Sequence, residues 1–322
     1  MSSWAVCRAS PSLALLKYWG KLPNGDNLPA TPSLAVTLGG LYTDTSARIS
    51  DADSVSIHRA RQDNGRYAAF LECLRSRLGV SLRFEARSVN SFPTAAGLAS
   101  SSSGFAALAG ACARAAGKEL PPEELSEIAR IGSVSAARSV FGGFVLLPAG
   151  ARSARQVFTP DHWPELRIVV AVTHTGPKPL SSREAMRETG SRSPYYGQWV
   201  SESQALLLEA LPALAARDLE KLGDIARSSY SMMHAALLAC SPPILYWLPA
   251  TVALIHACGA LRRQGIGAWE TIDAGPQVKI LCLERDVAQV TAVVKECVPG
   301  IETFLCFPGD GLSVSAREEP VA

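Results

Sequence analysis

The chain has no two cysteines at CxxC spacing, although it contains eight cysteines in all. Cys7, Cys73, Cys112, Cys240, Cys258, Cys282, Cys297 and Cys306 are scattered, most of them among apolar neighbours, which predicts buried reduced thiols and no disulfide framework. The five histidines show neither HxxH nor HExxH spacing, which argues against a zinc site. No apolar run reaches the roughly 18 residues of a membrane span. Residues 1–8 carry no apolar segment of signal-peptide length. These absences predict a soluble, cytoplasmic protein that uses no membrane. Charge of one sign is lacking too: 31 Lys and Arg oppose 29 Asp and Glu, so nothing in the net charge of +2 points to nucleic acid. Neither GxxxxGK[ST] nor GxGxxG occurs, which excludes a P-loop and a dinucleotide fingerprint.

What is present is globular. Apolar residues make up 48% and charged residues 19%, and 322 residues are enough for a full core and two domains. Short β-like runs at Trp4–Ala9, Leu34–Leu38, Thr43–Ile49, Ser54–His58 and Leu82–Val89 are separated by Gly, Pro, Asn and Asp. Helical patterns fall at 65–78, 101–116 and 122–130. Further strands are expected at Phe144–Leu147 and at Leu166–Thr173, the second an almost continuous apolar run typical of a strand buried on both faces. The turn-rich stretch His174–Leu180 is the best boundary, which divides the chain into 1–175 and 176–322. Beyond it the pattern predicts helices near 183–188, 200–216, 218–239, 249–264 and 285–297, with strands at Ala268–Asp273, Val278–Leu283 and Thr303–Phe307. Strands come first and helices interrupt them irregularly, so the expected class is α+β. Arg317–Ala322 reads as a loose tail.

Five segments carry candidate chemistry. Phe92–Gly104 contains Ala96-Gly97-Leu98-Ala99 followed by Ser100-Ser101-Ser102-Ser103, and it opens into an alanine-rich helix. Unpaired N–H groups and the positive end of the dipole at a helix start suit phosphate, and the hydroxyls suit phosphate or its metal. A serine-rich N-cap reads the same way. Lys17-Tyr18-Trp19-Gly20-Lys21 places two ammonium groups where both can meet one anion, whether the segment is helical or extended; a solvated pair beside a packing tryptophan is the plainer reading. Gly132-Ser133-Val134-Ser135-Ala136-Ala137-Arg138-Ser139 surrounds one arginine with hydroxyls, and a guanidinium grips phosphate or carboxylate by two parallel bonds. Ser181-Ser182-Arg183-Glu184 is also a plain helix cap with Glu near N3. In Asp273-Ala274-Gly275-Pro276-Gln277-Val278-Lys279 an aspartate ends a strand, as a general base, a hydroxyl-orienting group or an ordinary turn cap. Taken together these are the parts of a phosphoryl-transfer site.

In this order and at this spacing, from about residue 5 to about residue 283, the five segments resemble the diphosphomevalonate decarboxylase family of the GHMP kinase superfamily. The resemblance implies a two-domain α+β fold: an N-terminal domain like domain 2 of ribosomal protein S5 and a ferredoxin-like C-terminal domain. The active site lies in the cleft between them. It implies ATP and Mg²⁺, a cytoplasmic setting, usually a homodimer, and a small phosphorylated mevalonate as substrate. ATP phosphorylates the C3 hydroxyl, and phosphate then leaves together with CO₂ to give an isopentenyl product.

Carried over residue by residue, the backbone of Ala96, Gly97, Leu98 and Ala99 with Ser100, Ser101 and Ser102 holds the ATP phosphates and Mg²⁺, with Ser101 the metal ligand. Lys17 orients the γ-phosphate and C3 oxygen, Asp273 meets the C3 hydroxyl, and Arg138 binds the carboxylate and phosphate region. Tyr18, Lys21, Ser133, Ser135, Ser182 and Arg183 hold the phosphate tail. The four cations offset the repulsion between the substrate's charges and those of ATP. Two positions depart from the family pattern: Val134 where glycine is usual, and Gln277 where asparagine is usual. Val134 borders the tail pocket, so a 5-phosphomevalonate substrate giving isopentenyl phosphate stays open beside the diphosphate. A kinase that stops after C3 phosphorylation and a catalytically dead sensor are the remaining alternatives. Retention of Asp273, Lys17 and Arg138 argues against both.

Overall fold

The structure is a computed structural model and describes residues 4–23, 27–62, 65–93, 100–176, 179–317 and 319–321. In chain order the first half forms β1 (Trp4–Ala9), β2 (Ser12–Leu16), β3 (Ser33–Gly39), β4 (Thr43–Ser50), β5 (Ser54–Ile57) and β6 (Ala60–Arg61). Helix α1 (Gly65–Leu78), strand β7 (Arg83–Asn90), and helices α2 (Ser100–Ala115) and α3 (Pro122–Gly132) follow. A 3-10 turn over Val134–Val140 leads into β8 (Phe144–Leu147), β9 (Arg155–Phe158) and β10 (Leu166–Val172). The second half is mostly helical: α4 (Ser182–Arg192), α5 (Tyr196–Ala215), α6 (Leu219–Leu238) and α7 (Pro249–Arg263). It closes with β11 (Trp269–Ile272), β12 (Val278–Leu283), α8 (Val287–Cys297), β13 (Glu302–Pro308) and β14 (Ser313–Arg317).

The strands form two sheets among the described residues, in the orders β14-β1-β4-β7-β5-β6 and β11-β12-β10-β13-β3-β8-β9, with β2 paired to β3. One face of the first sheet packs Cys7, Ala47, Phe84 and Ala86 on α1, α2 and α3. The second sheet is covered on both faces, and β10 shows why its sequence is a continuous apolar run. Alternate residues of a strand point to opposite faces. Ile168, Val170 and Val172 face α5 and α6, while Val169 and Ala171 face α7 and α8. Each buried valine or isoleucine of this strand contributes roughly 1.5–3 kcal/mol relative to exposure.

The α+β expectation therefore holds, and most strand and helix placements agree to within a few residues. Four strands were not expected, among them the two-residue β6, which pairs with β5. β2 is Ser-Leu-Ala-Leu-Leu, good helix-forming residues that become extended because five buried side chains pair against β3. β9 and β14 have little apolar alternation, and all five residues of β14 are exposed; pairing with β8 and β1 makes them strands. The loose tail is also corrected: Arg317 pairs with Trp4, and Val321 is buried with its amide donating to Ser46 Oγ at 2.8 Å. All eight cysteines are free thiols.

Candidate active site

The end of β2, the turn after β11, the first turns of α2 and α4, and the 3-10 turn Val134–Val140 all open on one cavity of about 770 Å³. Lys17 follows the last residue of β2, so the burial that makes β2 a strand also buries the lysine, which is 1% exposed. Its amide donates to Ser229 Oγ on α6 at 2.8 Å. Its Nζ donates to the Ala14 carbonyl at 2.8 Å and to Asp273 Oδ1 at 2.6 Å. The expected alternatives, a helical or an extended Lys17/Lys21 pair, give way to an irregular turn. Trp19 is anchored there by Thr31 and by the indole N–H of Trp199, which donates to its carbonyl. Gly20 sits at φ +104° against the Tyr196 hydroxyl, where any Cβ would overlap it.

Asp273 lies just past β11, where Ala274-Gly275-Pro276 turns the chain back into β12. Gln277 secures that turn: its Oε1 accepts from the Thr173 amide at 2.6 Å, and Thr251 Oγ1 donates to the Pro276 carbonyl at 2.7 Å. The glutamine, one methylene longer than the family's usual asparagine, thus ties the turn to the end of β10. The carboxylate of Asp273 is gripped on both oxygens, by Lys17 at 2.6 Å and by Lys279 at 3.1 Å. Burial alone would raise its pKa, but the two ammonium groups outweigh burial and hold the carboxyl well below the usual range. Burial pushes Lys17 down to about 8 despite Asp273, with help from the charges of Lys279 and Arg138. His234, whose ring bonds the Asp273 carbonyl at 3.2 Å, is pushed down to about 4 by burial and by Lys17, and so is neutral at physiological pH.

Across the cavity, Arg138 is 3% exposed; one NH donates to Ser33 Oγ at 2.6 Å, and burial lowers its pKa to about 10, which leaves it cationic. Its Nε, the Tyr18 hydroxyl and Ser12 Oγ are buried without hydrogen-bond partners among the described residues, and all three residues line this cavity. Buried polar atoms seldom go unpaired, so a cavity with three of them is built for a polar ligand. Ser133 caps α3 in extended conformation, which points its Oγ at Ser135 Oγ (3.1 Å) and Ser101 Oγ (3.5 Å). At α4, Ser181 and Glu184 form a capping box that fixes the helix start, and Ser182 and Arg183 face the cavity from its positive end.

The structure thus brings together Lys17, Tyr18, Lys21, Ser101, Ser133, Ser135, Arg138, Ser182, Arg183 and Asp273. It does not place Ser100 or Ser102 on the wall; Ser102 is buried, and its Oγ accepts from the Ser12 amide at 3.4 Å. Ala96, Gly97, Leu98 and Ala99 lie outside the described residues. Three contributors escaped the sequence reading. Ser12 gave no signal. Arg66 did: a cation in the first turn of α1 opposes the helix dipole, and it is held there by the Gly132 carbonyl and the Phe105 ring at the edge of the cavity. Lys279, in the middle of an apolar strand, is the other legible anomaly. Lys17, Lys21, Arg66, Arg138 and Arg183 give five cations on the lining against two carboxylates, Asp273 and Glu184. Burial, Arg183 and Arg66 together push Lys21 down to about 8. The near-neutral chain concentrates its positive charge here.

Residues 9–158 match the family model of the diphosphomevalonate decarboxylase-like N-terminal domain, and residues 168–314 match that of the mevalonate 5-diphosphate decarboxylase C-terminal domain. Among curated relatives, the human diphosphomevalonate decarboxylase is 36% identical, with 90% of this chain and 79% of the relative covered. That of Candida albicans is 34% identical, covering 93% and 90%. Among solved structures, the Staphylococcus aureus mevalonate diphosphate decarboxylase superposes with a TM-score of 0.91 at 30% identity, covering 98% of each chain. A structure described as MDDEF in complex with MVAPP, AMPPCP and magnesium gives a TM-score of 0.90 at 31% identity, covering 98% of this chain and 99% of the other.

Proposed function

We infer that this chain, which belongs to the diphosphomevalonate decarboxylase family and has its two-domain GHMP kinase-like fold, catalyses the ATP-dependent decarboxylation of (R)-5-diphosphomevalonate. The products are isopentenyl diphosphate, CO₂, ADP and phosphate. The observation that carries the assignment of roles is the carboxylate of Asp273, clamped between Lys17 and Lys279 at the edge of a cavity lined with cations and unpaired polar atoms.

In the roles we assign, Asp273 accepts a hydrogen bond from the C3 hydroxyl and aims its oxygen at the γ-phosphorus. A carboxyl held so acidic is a poor store for a proton, so its work is orientation: the C3–O–P bond forms as the bond from the γ-phosphorus to ADP breaks, its electron pair leaving on ADP, and the hydroxyl proton passes to solvent. Lys17 stabilises the charge that builds on the transferred phosphoryl group and the C3 oxygen. The C3–O bond then breaks, with its electron pair leaving on phosphate. The pair of the bond to the carboxylate becomes the new double bond, and CO₂ departs. Arg138 holds the carboxylate in line for that step. Tyr18, Lys21, Ser133, Ser135, Ser182 and Arg183 hold the tail phosphates. No cluster of three or more His, Cys, Asp or Glu suited to a metal occurs among the described residues. A magnesium ion would therefore be held chiefly by phosphate oxygens with Ser101 Oγ beside it, as suits an ion that keeps few protein ligands. It supplies neutralisation of the phosphate charge when bound. The magnesium in the neighbour's complex supports this. We also propose a homodimer working in the cytoplasm; no helix among the described residues is long and apolar enough to cross a membrane.

A monophosphate substrate is the second reading, and the observation behind it is Val134. Its side chain is 3% exposed on the cavity wall, in the cluster that packs on Tyr18. The isopropyl group occupies space that a glycine would leave to an anion. The deciding experiment follows ADP release and trapped CO₂ with mevalonate, 5-phosphomevalonate and 5-diphosphomevalonate side by side. ADP and CO₂ in equal amounts from the diphosphate support the main reading. The same result from the monophosphate alone replaces it, and ADP without CO₂ means a kinase.

A further inference from the structure

Strand β12 reads Val278-Lys279-Ile280-Leu281-Cys282-Leu283, and its alternation makes the lysine conspicuous. Val278, Ile280 and Cys282 face the core under α7 and α8, while Leu281 faces the core under α5 and α6. Lys279 takes the next position on Leu281's side, where an apolar residue would serve the core, and it is 3% exposed. Burying an ammonium is unfavourable unless it meets an opposite charge. The charge it meets is Asp273 Oδ2 at 3.1 Å. Lys279 is absent from the cavity lining, and its ammonium meets the Asp273 carboxylate on the oxygen that Lys17 leaves. Lys17 takes the other oxygen, Oδ1, so the carboxylate is held at two points and cannot swing about its Cβ–Cγ bond without breaking one of them.

We propose that Lys279 is a positioning residue of the decarboxylase, whose ammonium fixes the orientation in which Asp273 meets the substrate hydroxyl. The proposal rests on the role given to Asp273 above. Losing the second grip leaves the carboxylate free to rotate about the Lys17 contact. The cost therefore falls on the chemical step and not on binding.

The test compares Lys279→Met, Asp273→Asn and the double variant in steady-state turnover of ATP and 5-diphosphomevalonate. Lys279→Met lowers kcat about 10- to 100-fold while the KM of each substrate stays within about threefold. On the Asp273→Asn background it lowers the residual kcat by less than about twofold, because the group it positions is already gone. If Lys279→Met does not accumulate as folded protein, Lys279→Gln, which keeps a donor and sheds the charge, is read by the same criteria. Wild-type kcat in Lys279→Met, a rise in KM that accounts for its loss of kcat/KM, or a full additional loss on the Asp273→Asn background overturns the proposal. Failure of the underlying reading looks different: Asp273→Asn would then itself turn over at the wild-type rate.

Discussion

Glu270 and Asp273 lie three residues apart on and just beyond β11, and each carboxylate faces two basic side chains. Glu270 accepts from Arg227 Nε at 2.9 Å, from Arg262 at 2.7 Å and from the Tyr230 hydroxyl at 3.1 Å, and its side chain is fully buried. Asp273 accepts from Lys17 and Lys279, and its side chain keeps 28% of its surface exposed, toward the cavity. The first cluster is closed. Arginine forks and a tyrosine use up its oxygens and tie α6 and α7 to the sheet edge. The second is open on one side, and its partners are lysines, compact charges whose pKa shifts readily when buried. The same pairing rule serves rigidity in one place and chemistry in the other, and what separates them is which oxygen lone pairs remain for a ligand.

That contrast can be broken from either side. Removing the open carboxylate with Asp273→Ala should lower kcat by at least about a thousandfold while nucleotide affinity and melting temperature stay near wild type. Substantial residual turnover would take Asp273 out of the mechanism. Removing the closed one with Glu270→Ala takes the shared carboxylate from the partly buried Arg262 and from Arg227, which keeps Asp224, and should destabilise the fold by about 1–3 kcal/mol, read from urea unfolding, with kcat per folded molecule unchanged. Arg183→Ala, at an exposed position on the cavity lining, should raise the KM for the phosphorylated substrate about tenfold with little change in ATP binding. An unchanged KM would mean the tail lies elsewhere.

The mildest test is pH. Lys17 and Lys21 both sit at about 8 in the fold against an ordinary value of 10.5, chiefly through burial. Below pH 8 folded and unfolded chains both hold these protons; between 8 and 10.5 only the unfolded chain does, so these two groups make stability rise with pH in that window. Anion binding needs the protonated lysines, so substrate affinity should fall over the same window. Melting temperature and KM measured together from pH 7 to 10 should rise in parallel. A KM that stays flat would show that neither lysine meets the substrate's charge.

Much of the site was legible in advance because motif chemistry is local. The capping box at Ser181 and Glu184 is a spacing of three residues, and the structure forms it. The strand over Leu166–Val172 follows from an apolar run alone. Arg66 and Lys279 were readable as anomalies, a cation at a helix start and a lysine inside an apolar strand, but each makes sense only once its counterpart is in view. Ser102 failed in the opposite sense. It shares the serine run with Ser101, but the helical rotation between adjacent residues turns one toward the cavity and the other toward β2.

The sequence by itself determined most element types, the order of the motifs and the chemistry of the groups, since propensity, period and capping act within a few residues, whereas β2, β9 and β14 are strands through pairing. The tertiary structure alone decided which charges meet. Lys17 and Asp273 are 256 residues apart, and no local rule pairs them. Their contact exists because β2 is forced into the sheet against its helical preference, and because Gln277 ties the turn after β11 to the end of β10. Long-range packing sets those distances, and through them the local dielectric and pKa values, so the site's reactivity belongs to the fold.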